Sequence, residues 1–237
     1  FAGAAALAGE AALRCGAGLV QVATRPEHVA ALVARMPEAM PRGISAPHDF
    51  TPMLEAANVL VVGPGLGQSP WAVELLQLAL ISGKPLVLDA DGLNLLASGI
   101  LGDIGSADNR VLTPHPGEAA RLLSWSTAQV QADRFAAVCA LQARYGGVVL
   151  LKGNGTLITD GESLLLSDYG NPGMASGGMG DVLSGVIGAL LAQHLPPLDA
   201  VALAVCLHGA AADAAAAEGQ RGLVASDLMP HVRLLLG

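Results

Sequence analysis

The chain has 237 residues, of which 52% are apolar but only 3% are aromatic, and its net charge is −8 at neutral pH. A core with so few aromatic rings must be built from alanine, leucine and valine, which favours layers of helices and strands over a β-sandwich. The acidic balance argues against nonspecific binding to nucleic acid or to an anionic membrane, although it does not exclude a local phosphate site.

Cysteine content and hydropathy give expectations about the compartment. The three cysteines, Cys15, Cys139 and Cys206, form no CxxC pair, so we predict neither a disulfide framework nor a zinc cluster, and a cytoplasmic location. The longest apolar stretches, 182–193 and 200–212, are shorter than the ~18 residues of a membrane span and predict buried helices. No signal peptide pattern is present, and we expect the numbering to begin inside a longer natural chain.

Helical and strand-like segments alternate along the first half of the chain. A helix from Ala4 to Cys15 is followed by a strand, and this order recurs. The next predicted elements are strands at 18–24 and 58–63, a helix at Pro70–Ile81, a strand at 84–90, a helix at Gly92–Ala97, a strand at 110–114 and a helix from Gly117. Strands of nearly continuous valine and leucine, each followed by a helix, predict a parallel sheet covered on both faces.

The alternation of strands and helices ends after a long helix predicted from Ala128 to about Tyr145. Segments 147–153, 156–160 and 163–167 leave no room for helices between them, so they predict an antiparallel meander with a hairpin turn at Asp160-Gly161. Helices at about 179–194, at 198–217 and from about 225 complete what we expect to be a single domain over residues 1–237. The segment from Met40 to Pro52 holds three prolines and is predicted to be irregular or mobile.

Glycines and carboxylates follow two of the predicted strands, at the ends where open α/β sheets bind ligands. The loop VVGPGLGQ, with Gly63, Gly65 and Gly67, is either a ligand-binding loop or a tight turn. Asp89 and Asp91 end the next strand. Asp91 is either the N-cap of a helix or one of a carboxylate pair that suits a metal or a polar substrate.

Two further strand ends carry ionisable groups. In TPHPGEAARLL, two prolines fix the backbone around His115, which makes it a candidate site residue. Glu118 is either a second site residue or a carboxylate stabilised by the helix dipole. In LLKGNGT, Lys152 precedes two glycines and a threonine, a pattern that can aim an ammonium and several N–H groups at a phosphate. The alternative for Lys152 is a plain lysine before a glycine turn.

The stretch NPGMASGGMGD is the most specific motif in the sequence. Its glycines lead into a helix predicted to begin near Met179, so the free N–H groups at that end should form an anion hole. Asp181 lies in the first turn, next to any bound phosphate. A carboxylate placed there for the helix dipole alone, worth ~0.3–1 kcal/mol, needs no such density of glycines. The motif therefore predicts a base or polariser beside a transferring phosphoryl group.

Six segments in this order, from GAAALAGEAALRCGAGLV to NPGMASGGMGDVLSGVIGALL, closely resemble the ADP-dependent NAD(P)H-hydrate dehydratase family over about residues 2–235. The resemblance implies a ribokinase-like three-layer αβα fold, in which GGMGD corresponds to the anion-hole motif of related sugar and vitamin kinases. It also implies a homotetramer and a functional partner, NAD(P)H-hydrate epimerase, to which members are fused in bifunctional proteins. Family members carry another strand and a glycine-rich turn before the position of Phe1, so we expect the start of the substrate site to be incomplete.

The resemblance also assigns site residues. The hydrated dinucleotide, NADHX or NADPHX, would contact Ala4, Gly67, His115 and Asp181, and Asp181 would be the catalytic residue. The co-substrate ADP would contact Lys152, Gly153, Asn154, Gly155, Thr156, Gly178 and Gly180. Mg²⁺ would neutralise the nucleotide without a direct protein ligand, and Glu118 and Asp91 would organise it through water.

The implied reaction repairs a damaged cofactor. Asp181 would deprotonate or orient the 6-hydroxyl group, which attacks the terminal phosphate of ADP. Phosphate then leaves, and loss of a C5 proton restores NADH or NADPH, with AMP as the second product. The main alternative is a small-molecule kinase of the same fold that phosphorylates a hydroxymethylpyrimidine or thiazole alcohol, and a third is a nucleotide sensor without turnover.

Overall fold

A computed structural model describes all 237 residues, Phe1–Gly237, as eight β-strands and eleven α-helices. The strands are β1 (Gln21–Thr24), β2 (Met40–Gly43), β3 (Leu60–Val62), β4 (Leu86–Leu88), β5 (Arg110–Leu112), β6 (Val148–Leu151), β7 (Thr156–Thr159) and β8 (Leu164–Ser167). The helices are α1 (Ala2–Arg14), α2 (Val29–Arg35), α3 (Pro47–Ala56), α4 (Pro70–Ile81), α5 (Ala90–Ala97), α6 (Pro116–Leu123), α7 (Thr127–Ala132), α8 (Arg134–Tyr145), α9 (Met179–Ala192), α10 (Pro197–Ala215) and α11 (Leu228–Leu236).

Six strands form the central sheet, in the order β3-β4-β5-β6-β7-β8. The first four are parallel, and the last two pairings are antiparallel. Asp160 accepts hydrogen bonds from the N–H groups of Glu162 and Ser163 in the turn between β7 and β8. The predicted parallel sheet and the antiparallel meander are therefore confirmed. Strands β1 and β2 form a separate parallel pair.

Both faces of the central sheet are covered by helices. Val87, Val111 and Leu150 lie in one core cluster with residues of α1, α9, α10 and α11. Leu88, Leu112 and Leu151 lie in the second cluster with residues of α4, α5, α6 and α8. Because successive strand side chains point to opposite faces, a strand buried on both sides reads as a continuous apolar run. This packing explains why the strands were recognisable in the sequence.

Two predictions about local structure were wrong. The long helix expected from Ala128 to Tyr145 is broken at Asp133, whose φ of −144° and ψ of 86° are not helical. The Asp133 carboxylate accepts a hydrogen bond from the N–H of Ala136 and so starts a new helix. The segment from Met40 to Pro52, expected to be irregular, contains β2 and most of α3. Two of its prolines are tolerated because Pro41 lies in the two-stranded pair and Pro47 is at the first position of α3, whereas Pro52 lies inside α3.

One helix, Pro197–Glu218, is long and apolar enough to cross a membrane when judged by length and composition alone. Half of its most apolar stretch is buried inside the fold. Core helices pass the same test, and α10 contributes Ala204, Val205 and Ala211 to the first core cluster.

Candidate active site

A buried carboxylate, Asp89, joins three parts of the chain at the carboxyl end of the central sheet. It follows β4 and is 1% exposed. Its Oδ1 accepts hydrogen bonds from Thr113 Oγ1 at 2.8 Å and from Lys152 Nζ at 2.7 Å, and its Oδ2 accepts one from Ser184 Oγ at 2.8 Å. Because these donors follow β5, follow β6 and lie on α9, Asp89 fixes the start of α9 against the strand ends.

Lys152 lies between two carboxylates and the amino end of α9. Its Nζ is 3.9 Å from Glu118 Oε2, in addition to its contact with Asp89. Its backbone N–H donates to the carbonyl of Pro114, which fixes where the side chain begins. A Cβ atom at Gly180 would lie 3.2 Å from Nζ, so a larger residue at that position would crowd the ammonium.

The amino end of α9 presents N–H groups that have no protein acceptor. Outside helices and strands, no hydrogen bond is donated by the backbone N–H groups of residues 177–181. Gly178 is the N-cap and has a φ of +92°, a conformation that favours glycine, and a Cβ there would come within 2.6 Å of Leu7 Cδ1. Free N–H groups and the helix dipole both attract an anion, so the geometry of an anion hole is present.

Asp181 lies in the first turn of α9, where its environment disfavours the ionised form. Burial, together with the negative charge of Asp89, raises the pKa of the Asp181 carboxyl to about 6, although the positive charge of Lys152 opposes the increase. A carboxylate with such a pKa is a stronger base than an ordinary aspartate and is still mostly ionised at pH 7. It is therefore suited to accept a proton beside a bound phosphate.

His115 caps α6 and is held by its neighbours. Its Nδ1 accepts the N–H of Gly117 at 3.0 Å, and its own N–H donates to Glu118 Oε2 at 2.8 Å. Partial burial lowers the pKa of His115, against the raising effect of Glu118, so the ring is neutral at pH 7. Because Nδ1 is an acceptor, the proton of the neutral ring is assigned to Nε2, which lies 3.4 Å from Glu118 Oε1. The ring is half exposed and can donate to a ligand from Nε2.

Asp91 holds the first glycine loop rather than capping a helix. Helix α5 begins at Ala90, so Asp91 is inside its first turn and the N-cap interpretation is wrong. Asp91 Oδ2 accepts the N–H of Gly67 at 2.8 Å. Beyond Gly67, an open cleft of about 500 Å³ is lined by Gln68, Asn94, Ala97, Ser98 and Arg121. A second cavity, of about 340 Å³, has Pro85, Arg110 and His194 in its wall and contains none of the candidate site residues.

Ala4 lies in the first turn of α1, one helical turn before Leu7, the residue against which Gly178 packs. The chain just before Ala4 meets the first glycine loop, because a Cβ at Gly65 would strike the carbonyl of Phe1. This turn of α1 thus borders both glycine loops.

The loop Gly153–Thr156 turns away from β6 with two glycines at positive φ, +150° for Gly153 and +70° for Gly155. Thr156 Oγ1 donates to the carbonyl of Gly153 at 3.1 Å. Outside helices and strands, no hydrogen bond is donated by the N–H groups of residues 153–155. The structure brings this loop next to the anion hole, since Lys152 precedes it and its ammonium lies beside Gly180 in the first turn of α9.

The acidic residues do not form a metal cage made of protein alone. No group of three or more His, Cys, Asp or Glu side chains is arranged to hold a metal ion. Of the Asp91 carboxylate, only Oδ2 accepts a hydrogen bond, and both Glu118 oxygens face His115. One or two carboxylates with free lone pairs suit Mg²⁺ that is carried by a nucleotide and keeps several waters. The donor set therefore fits a nucleotide-bound ion.

Two residues that hold this centre together, Thr113 and Ser184, were not selected from the sequence. Ser184 is the only polar side chain in α9 after Asp181, which is a weak signal that could have marked it. Thr113 looked like an ordinary strand residue. Their importance depends on contacts with Asp89, from which they are separated by 24 and 95 positions.

Comparisons with known proteins agree on one family. A family model described as NAD(P)H-hydrate dehydratase matches residues 1–233. The chain is 52% identical to the bifunctional NAD(P)H-hydrate repair enzyme of Coxiella burnetii over 99% of this chain and 48% of that protein. It is 40% identical to the ADP-dependent (S)-NAD(P)H-hydrate dehydratase of Neisseria meningitidis over 99% of this chain and 81% of that protein.

A solved structure gives the same result. The ADP/ATP-dependent NAD(P)H-hydrate dehydratase of Bacillus subtilis, co-crystallised with ATP and Mg²⁺, is 30% identical and superposes with a TM-score of 0.85 over 99% of this chain and 84% of that one. The chain spans about half the length of the bifunctional curated relatives that it matches.

Proposed function

We propose a function from one premise: the chain belongs to the NAD(P)H-hydrate dehydratase family. Its reaction is the dehydration of NADHX and NADPHX to NADH and NADPH, with ADP as co-substrate and with AMP and phosphate as products. The observation that carries this proposal is the position of Asp181, a carboxylate with a pKa raised to about 6 beside the free N–H groups of α9 and near Lys152.

In the proposed mechanism, Asp181 accepts the proton of the substrate's 6-hydroxyl group as that oxygen attacks the terminal phosphate of ADP. Lys152 and the N–H groups of residues 178–180 stabilise the charge that develops on the phosphoryl oxygens. The bond from phosphorus to the AMP oxygen breaks, so AMP leaves. The C6–O bond then breaks with help from the ring nitrogen lone pair, phosphate departs, and loss of a C5 proton restores the double bond.

The substrate and the nucleotide approach Asp181 from different sides in this proposal. The hydrated nicotinamide contacts Ala4, Gly67 and His115, and the rest of the dinucleotide extends along the cleft that begins at Gln68. Neutral His115 donates from Nε2 to the substrate. ADP lies against the loop from Lys152 to Thr156 and against Gly178 and Gly180, whose free N–H groups support this assignment.

When bound with the nucleotide, Mg²⁺ would supply positive charge that offsets the negative charge repelling an attacking oxygen. Asp91 and Glu118 would hold it through water. We also propose a cytoplasmic location, a homotetramer, and cooperation with an NAD(P)H-hydrate epimerase, which we expect to be the other half of the bifunctional relatives. We take the half of those relatives that this chain matches to be the dehydratase half.

The test is to incubate the purified chain with NADH hydrate, Mg²⁺ and either ADP or ATP, while following absorbance at 340 nm and the nucleotide products. With ADP, the proposal expects recovery of NADH absorbance together with AMP and inorganic phosphate. Asp181→Asn should keep the fold but lose on the order of 10²–10³ in rate, as when an oxyanion donor is removed. Turnover by Asp181→Asn at the wild-type rate would overturn the assignment of the base.

The kinase alternative predicts a different product. A kinase acting on a pyrimidine or thiazole alcohol would convert ATP to ADP and form a stable phosphate ester, without any change at 340 nm. This alternative is the weaker one, because relatives up to 52% identical over the full chain are named as hydrate repair enzymes.

A further inference from the structure

The guanidinium of Arg134 contacts backbone carbonyl groups at the start of the glycine loop Gly153–Thr156. It is the first residue of α8, just after the break at Asp133. Its Nη1 donates to the carbonyl of Asn154, and its Nη2 lies 3.2 Å from the carbonyl of Leu151 and 3.4 Å from that of Lys152. A single guanidinium thus contacts three carbonyl groups around the start of the loop.

These contacts determine where the loop's N–H groups point. In a trans peptide unit the C=O of one residue and the N–H of the next point in opposite directions. The carbonyls of Lys152 and Asn154 face Arg134, so the N–H groups of Gly153 and Gly155 face away from it. The carbonyl between these two, that of Gly153, accepts the Thr156 hydroxyl. The N–H groups of residues 153–155 have no protein acceptor.

An arginine at position 134 and a glycine at position 153 both suit the contact between the guanidinium and the loop carbonyls. The planar guanidinium offers several donors in a fixed fork, whereas a lysine ammonium is a point charge that cannot span the same carbonyls. A Cβ at Gly153 would lie 2.9 Å from Arg134 Nη2, so a glycine there lets the guanidinium approach the backbone. Partial burial lowers the pKa of Arg134, yet an arginine remains charged at neutral pH, and its positive field favours an anion on the far side of the loop.

We propose that Arg134 is a positioning residue of the nucleotide site: it holds the carbonyls of Lys152 and Asn154 so that the N–H groups of Gly153 and Gly155 meet the phosphates of ADP. This inference rests on the proposed function in assigning ADP to the loop. In this proposal Arg134 does not touch the nucleotide: its Nη1 and Nη2 donate to backbone carbonyls, and its Nε is buried.

The test measures ADP binding directly by calorimetry on the full chain, independently of turnover. Arg134→Ala should weaken ADP binding about tenfold to a hundredfold, the effect of losing charged hydrogen bonds worth ~1.5–3 kcal/mol. Arg134→Lys should recover only part of the affinity, and added ethylguanidinium should restore binding to Arg134→Ala. The KM for the hydrate should change less than about twofold, because only nucleotide binding depends on the loop.

Arg144→Ala is the matched control. Arg144 lies on the same helix and also donates to a backbone carbonyl, that of Leu122 at 2.7 Å, but it does not contact the loop. Its loss should leave ADP affinity unchanged.

Wild-type affinity in a folded Arg134→Ala would overturn the inference. So would a parallel loss of ADP affinity, hydrate affinity and melting temperature without rescue by ethylguanidinium, or a wild-type chain that does not bind ADP. If the wild type binds ADP and Arg134→Ala does not, but no NADH forms from the hydrate, the proposed dehydration fails and the inference stands.

Discussion

The ammonium of Lys152 and the carboxylate of Asp89 lie 2.7 Å apart, although 63 positions separate them in the chain. Asp89 is buried, and its two oxygens also accept the hydroxyls of Thr113 and Ser184. This pairing fixes a positive charge next to the amino end of α9 before any ligand arrives. A charge that is already in place would not need to reorganise during the proposed phosphoryl transfer, which is a source of catalytic power.

Asp89→Ala should destabilise the fold strongly. The substitution leaves the Lys152 ammonium without its buried partner and the Ser184 hydroxyl without its acceptor, while the Thr113 hydroxyl keeps the carbonyl of Leu88. Breaking such a buried ion pair costs about 3–5 kcal/mol. Urea unfolding followed by circular dichroism measures the free energy of unfolding. Asp108→Ala, at an exposed position, is the control and should change it by less than about 0.5 kcal/mol. A loss at Asp89 no larger than that of the control would contradict the role assigned to this pair.

Asp181→Asn should stabilise the protein in a manner that depends on pH. The folded-state pKa of Asp181, about 6, is above the ordinary value of 3.8, so the folded chain binds this proton more tightly than the unfolded chain does. Wild-type stability from this group is therefore fully present below pH 3.8 and is lost as pH rises through 6. Asparagine carries no charge to bury, so the variant should melt higher than wild type at pH 8, with a difference that disappears near pH 4.

Melting curves of both proteins between pH 4 and pH 8 provide the measurement. A pH-independent difference would mean that the carboxylate is not destabilised by burial. The same variant should have lost its turnover, so stability and activity would move in opposite directions.

Gly180→Ala should separate stability from function. Gly180 lies in α9 without positive φ, where alanine is favoured over glycine by roughly 0.5–1 kcal/mol. Its new methyl group would lie 3.2 Å from Lys152 Nζ and would crowd the space that a phosphate needs. We expect a melting temperature equal to or above that of wild type, with a clearly higher KM for ADP. Unchanged nucleotide kinetics would indicate that phosphate does not approach this face of α9.

Asp213→Ala should weaken ADP binding through the glycine-rich loop. Asp213 Oδ2 accepts the N–H of Gly170 at 3.0 Å, and Oδ1 accepts Asn171 Nδ2 at 2.9 Å. Asn171 in turn accepts the N–H of Gly173, so one carboxylate on α10 fixes the beginning of the loop. Loss of these contacts should cost about 1 kcal/mol of stability and raise the KM for ADP several-fold.

The control for Asp213→Ala is Asp199→Ala. Asp199 is an exposed residue in the first turn of the same helix, far along the chain from the loop contacts. Steady-state kinetics with varied ADP distinguish the two variants. Equal effects at both positions would show that the loop does not depend on Asp213.

Much of the fold is predictable because the secondary structure that each segment favours by its own sequence is also the one that packs in the folded chain. Continuous apolar runs marked β4 and β6, and Pro70 and Ile81 marked the bounds of α4 at the residues where the structure has them. The failures were local. Asp133 interrupts a helical pattern because its side chain caps a new helix, and Met40–Gly43 becomes a strand only because β1 lies beside it.

The sequence by itself determined which residues are candidates for the chemistry: the glycines before α9, Asp181, Lys152 and His115 each stand out by their position after a predicted strand or at a helix start. Tertiary structure alone decided how these groups act on one another. The pKa of Asp181 depends on burial and on Asp89, and the direction of the N–H groups at Gly153 and Gly155 depends on Arg134. Such effects fall off within a few ångströms, and the chain places these partners close together only after the sheet and its helices have packed.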